Sequence, residues 1–106
     1  MARKEFETLT SQMYYILLVL VEAKHGYEIM NEITKLTEGK INVGAGTLYT
    51  LLSRFETEGY IILESIVDRK KIYKLTNLGK RKLKEETDRL SMQLLHYKEV
   101  IGDEEI

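Results

Sequence analysis

The chain has no cysteine, no proline and no tryptophan, and only two histidines. Without thiols there can be no disulfide, thiol nucleophile or thiolate metal site, and such a chain suits a reducing compartment. With no proline and only seven glycines, helical patterns are rarely interrupted, so a predominantly helical fold is expected. The longest apolar stretch, Met13 to Val21, falls well short of the roughly 20 residues a membrane span needs, and no signal-peptide pattern is present. The chain is therefore read as cytoplasmic and complete, with no membrane partner. His25 falls at a helix joint and His96 on the last helix, and neither belongs to a metal-ligand spacing or a nucleophile–base set. No metal, cofactor or enzymatic activity is expected.

What remains is an ordinary globular composition, 43% hydrophobic and 31% charged. A chain of 106 residues suits one small core with room for a projecting element, and association can supply part of the stability. The net charge of −1 is not the basic footprint of a nucleic-acid binder, but the charge is segregated. Arg69, Lys70, Lys71, Lys74, Lys80, Arg81, Lys82 and Lys84 follow one another without an acidic residue, whereas Glu99, Asp103, Glu104 and Glu105 crowd the C-terminus. One basic zone is left for phosphates.

From Thr10, Met13, Ile16, Leu17, Leu20 and Val21 recur at helical spacing, and Tyr14, Tyr15, Leu18 and Val19 make this first helix apolar all round. His25-Gly26 breaks the pattern. A second helix is expected from Tyr27 to Leu36, with Tyr27, Ile29, Met30 and Ile33 inward, and Gly39 ends it. Val43-Gly44-Ala45-Gly46 leads into a third helix, Thr47 to about Glu58, closed by Gly59. Tyr60 to Val67 and Lys71 to Leu75 read as strands around an Asp68-Arg69-Lys70 tip, and a long helix runs from Thr76 to Ile101. The expected fold is mainly α with a small β-hairpin, a winged helix-turn-helix plus a long C-terminal helix. Its winged-helix part spans 1–76, with an N-terminal arm over 1–9, and the dimerisation helix and acidic tail span 77–106.

In the third helix Leu48, Leu51, Leu52 and Phe55 form a core stripe, and Gly46, Thr47, Tyr49, Thr50, Ser53 and Arg54 lie on or beside the opposite face. Small hydroxyl side chains and an arginine suit a major groove about 12 Å wide, although the same residues also suit a plain solvated face. Gly44-Ala45-Gly46 lacks the lysine and hydroxyl of a phosphate-binding loop, so nucleotide binding is rejected. What the glycines do allow is close approach of a helix N-terminus to a DNA phosphate. Arg69, Lys70 and Lys71 are the wing candidates, whereas Lys80, Arg81, Lys82 and Lys84 read as the solvated face of the last helix.

Along that helix Leu83, Thr87, Leu90, Leu94, Tyr97 and Ile101 alternate spacings of four and three, a heptad seam. Either it folds back on the first helix of its own chain or it pairs with a second copy. A homodimer is preferred, because two-fold symmetry presents two recognition helices to successive turns of DNA.

His25-Gly26-Tyr27-Glu28-Ile29, Gly46-Thr47-Leu48-Tyr49 with Leu52, Arg54 and Glu56, then Gly59-Tyr60-Ile61, and Arg69 ahead of Tyr73-Lys74-Leu75-Thr76 and Gly79, together resemble the PadR family of bacterial transcriptional regulators. The resemblance covers nearly everything from Thr10 to Leu83 and is to the shorter subgroup with one C-terminal helix. It implies a homodimeric winged-helix repressor of a near-palindromic double-stranded DNA operator, relieved by a small aromatic or cationic effector. The wing lacks the Gly-rich tip of many members, and Val43-Gly44-Ala45 stands where a proline is usual. Some short members hold flat drugs between tryptophans, a mode closed to this chain, so Met13, Tyr14, Met92 and Tyr97 are the candidate effector pocket. The alternative reading is a winged-helix protein-interaction module whose acidic tail binds a partner.

Overall fold

The computed structural model describes residues 8–102; the arm as far as Glu7 and the acidic tail beyond Gly102 lie outside the described residues. The order of elements is α1 (Ser11–Val19), α2 (Gly26–Leu36), α3 (Ala45–Glu58), β1 (Ile61–Val67), β2 (Lys70–Leu75) and α4 (Asn77–Ile101). The described residues thus form four helices and one antiparallel hairpin, as the sequence pattern leads one to expect. None of the described helices is long and apolar enough to cross a membrane.

Three of the four described helices start where a side chain accepts a first-turn N–H. Thr10 Oγ accepts from Met13 N–H at 3.2 Å, and Thr76 Oγ from Gly79 N–H at 3.0 Å. His25 does not interrupt the pattern but caps α2: its Nδ1 accepts from Glu28 N–H at 3.4 Å while the Glu28 carboxylate accepts from His25 N–H at 3.1 Å. This reciprocal box is easily missed in a sequence because histidine is not among the usual capping residues. α3 starts at Ala45, two residues earlier than expected, with Gly44 as its cap and no side-chain hydrogen bond there.

Ile16, Leu17, Leu20, Ile29, Ile33, Leu48, Leu52 and Phe55 are fully buried and join α1, α2 and α3 into one core. Val21 lies beyond α1 and is 51% exposed, so it does not continue the inward stripe. Tyr27, expected inward, is 65% exposed, because the core takes the side of α2 that carries Ile29 and Ile33, and at about 3.6 residues per turn Tyr27 falls on the other side.

The hairpin turns on Asp68 and Arg69, both left-handed at φ 50° and 67°, and Lys70 already pairs with Val67 as part of β2 rather than standing at the tip. Two successive left-handed residues match the right-handed twist of the strands. Leu63 pairs with Tyr73 and Ser65 with Ile72, so Glu64 is the extra residue of a bulge. β2 is anchored to the body: Lys24 and Tyr73 exchange two backbone hydrogen bonds, and Leu75 N–H donates to Leu20 C=O at 2.9 Å.

α4 leaves the hairpin at a tight joint. Thr76 donates from Oγ to Gly59 C=O at 2.6 Å and from its N–H to Tyr60 C=O at 2.9 Å. Gly79 lies so close to Tyr60 that a methyl group there would stand 2.2 Å from its carbonyl oxygen. Lys82, expected on the solvated face, is buried at 9% exposure, because α4 lays this side against the body beside Glu86.

Candidate nucleic-acid interface

The α3 face opposite its core stripe is open. Leu48, Leu51, Leu52 and Phe55 are buried, while Gly46, Thr47, Thr50, Ser53 and Arg54 are exposed and Tyr49 is 55% exposed. This division follows from helical periodicity: with one stripe taken by the core, the hydroxyl-bearing residues are carried to the far side. Arg69, Lys70 and Lys71 are also exposed on the hairpin.

These two groups meet across a cleft of about 540 Å³ between α3, the hairpin and the start of α2. Tyr49, Ser53 and Glu56 line one wall and Arg69, Lys70 and Lys71 the other, with His25 and Tyr27 at one end and Leu52 and Tyr73 at the floor. Burial raises the pKa of the Tyr73 hydroxyl, and the charges of Glu56 and Tyr49 push it the same way, so this phenol stays protonated throughout the physiological range. Of the sequence candidates, the structure brings Tyr49, Ser53 and all three wing cations together here. Gly46, Thr47, Thr50 and Arg54 lie outside this cleft lining, toward the N-terminus and outer face of the same helix. His25, Tyr27, Glu56 and Tyr73 are additions that the sequence reading did not single out. Only the exposure of Tyr27 and the approach of the hairpin reveal them.

The heptad positions divide in two. Leu83 is half-buried against the core, and Thr87 is tied to Tyr14 of α1 at 2.7 Å between hydroxyl oxygens. Thr87 spends its own hydrogen on Leu83 C=O at 2.8 Å, so the Tyr14 hydroxyl is the donor between them. From Leu90 onward the seam is largely bare among the described residues: Leu90, Leu94, Tyr97 and Ile101 are 43%, 56%, 47% and 40% exposed. Met13 and Tyr14 sit half-buried on α1, whereas Met92 and Tyr97 are exposed on the far half of α4. No described cavity is lined by these four together. Tyr14 instead lines a 160 Å³ hollow with Tyr15, Glu86, Arg89 and Leu90.

Residues 16–85 match the model of the transcriptional regulator PadR-like family, which is most of the chain and includes α2, α3, the hairpin and the first turns of α4. The chain belongs to this family. PadR-like proteins are transcriptional regulators. An uncharacterised protein of Lysinibacillus sphaericus is 35% identical over 72 residues, 64% of this chain and 66% of that protein. A transcriptional regulator from Clostridium thermocellum superposes with a TM-score of 0.72 at 27% identity, over 85% of this chain and 88% of that one. Bacillus subtilis PadR, whose crystal structure holds operator DNA, superposes with a TM-score of 0.64 at 25% identity, over 71% of this chain and 45% of that PadR. This PadR-like chain therefore spans under half of that DNA-bound relative.

Proposed function

We propose that the protein is a homodimeric, sequence-specific DNA-binding regulator, with α3 in the major groove and the hairpin against the backbone. The observation that carries this reading is the open polar face of α3 set across a cleft from Arg69, Lys70 and Lys71. Thr47, Tyr49, Thr50, Ser53 and Arg54 contact base edges or phosphates, and the uncapped N-terminus of α3 at Gly44 to Gly46 accepts a phosphate on its free N–H groups. The operator bound by the Bacillus subtilis relative favours double-stranded DNA as the partner; the sign of regulation we propose is repression.

The bare seam on the far half of α4 is the dimer surface, through Leu90, Leu94, Tyr97 and Ile101. A second copy docked there supplies the cover that the body cannot reach. It also closes α4 over α1, the arrangement a pocket at Met13, Tyr14, Met92 and Tyr97 requires; an aromatic or cationic effector bound there would release the operator. Tyr97→Ala should then abolish ligand quenching of tyrosine fluorescence.

The test of DNA binding is its salt dependence. A dimer neutralising about six phosphates should show a log–log slope near −5, and charge reversal at Arg69 and Lys71 should remove binding while the dimer persists. A protein-interaction module would show no tight DNA binding at any salt concentration, and affinity surviving the reversal would sink the wing assignment.

A further inference from the structure

α4 has two lives: its first half is packed on the body, and its second half stands free. The boundary between them is a buried polar clamp. The Glu86 carboxylate is 3% exposed, and one of its oxygens accepts both the Leu9 N–H at 2.7 Å and the Arg89 guanidinium at 3.0 Å. The other oxygen faces the Lys82 ammonium at 4.0 Å. One residue on, Thr87 accepts the Tyr14 hydroxyl at 2.7 Å. Two of these contacts reach the body, the Leu9 N–H just before α1 and the Tyr14 hydroxyl within it, so they tie α4 down at two points. A buried carboxylate without its partners is costly, which makes this a discrete arrangement rather than a sliding one. Past Arg89 every residue as far as Ile101 is exposed.

We infer that Glu86 is a positioning residue that, with the Tyr14–Thr87 bond, sets the angle of α4 on the body and so selects the half-site spacing the dimer reads. This rests on the dimeric DNA-binding reading above. The lever is long enough: the free segment from Leu90 to Ile101 is about 18 Å, so a tilt of about 10° moves its end by about 3 Å, close to the 3.4 Å rise of one base pair. In a two-fold dimer the tilt acts twice, once for each recognition helix. Loosening the clamp blurs the distance between half-sites while leaving the contacts of each α3 with its own half-site intact.

The experiment uses the full chain and a pool of random-sequence DNA duplexes. The parent, Glu86→Gln and Tyr14→Phe are each carried through rounds of binding selection, and the spacer length of the recovered inverted repeats is sequenced. The parent is expected to return one spacer, and both variants the same half-site sequence with spacers spread over roughly one to two base pairs more. A merely structural role would lower the melting temperature and leave the spacer distribution narrow. Should Glu86→Gln fail to fold, Tyr14→Phe decides alone, because that hydroxyl pair is exposed and its loss spares the core. A narrow, unshifted spacer in the variants of a dimeric parent overturns the clamp alone. A monomeric parent, or one that recovers no inverted repeat, overturns the regulator reading and the clamp with it.

Discussion

The phenol of Tyr49 lies directly against the Cα of Gly26: a methyl group on Gly26 would stand 2.5 Å from the Tyr49 oxygen and 2.9 Å from the ring carbon that carries it. The N-terminus of α2 and α3 thus meet where an aromatic edge rests on a bare Cα. The obstacle is the far end of an exposed side chain, so the ring can swing away. Gly26→Ala should therefore leave stability within about 1 kcal/mol of the parent, helped by the better helix propensity of alanine. Operator affinity should nevertheless fall several-fold, because Tyr49 is driven out of the cleft. Denaturant unfolding and fluorescence anisotropy with labelled duplex would read the two effects separately.

Arg69 places its charge at a backbone position that suits it badly, at φ 67°. Arg69→Gly removes a left-handed strain of about 1 kcal/mol, so the variant should melt higher than the parent. It should also bind DNA more weakly, with a salt slope shallower by about one for each wing. Stability and affinity moving in opposite directions is the expected signature, and thermal melts beside salt-titrated binding curves check it.

Gly79 differs from Gly26 in what stands against it. A methyl group there would meet the Tyr60 backbone carbonyl at 2.2 Å, which cannot rotate aside, and the Leu75 side chain at 2.7 Å. Gly79→Ala should cost about 1–3 kcal/mol, measured by denaturant unfolding at fixed protein concentration.

Glu86 predicts a pH effect. Burial raises its pKa, but the hydrogen bonds from Arg89 and the Leu9 N–H, and the charges of Arg89 and Lys82, outweigh burial and hold it below the ordinary glutamate value of 4.5. A group whose folded pKa is depressed contributes stability above its unfolded value and loses it as pH falls through the folded one. The gap in stability between the parent and Glu86→Gln should be widest near neutrality and should close with acidification below about pH 4. Melting temperatures across that range decide it; a gap independent of pH would show that the ion pairs contribute nothing.

Much of this molecule is legible in its sequence. Periodicity alone separated Leu48, Leu51, Leu52 and Phe55 from the polar face of α3, because a helix with one buried stripe has no freedom over where the other residues go. Gly59 and Thr76 marked the end of α3 and the start of α4 by local backbone chemistry, and the β-branched run from Ile61 announced the hairpin. Misplacements were local too: the capping role of His25 put α2 one residue early, and a two-residue turn put Lys70 inside a strand.

The sequence by itself thus determined the order of elements, the core stripes and the basic hairpin, since each depends on residues within a few positions of one another. Only the tertiary structure decided what depends on distant approach. Tyr27 and Glu56 join the cleft because the hairpin folds over them, and Glu86 is buried where Leu9, 77 positions away, comes to meet α4. A helical pattern shows that a residue lies on a given face; what that face meets is set by long-range packing, and no local propensity encodes it.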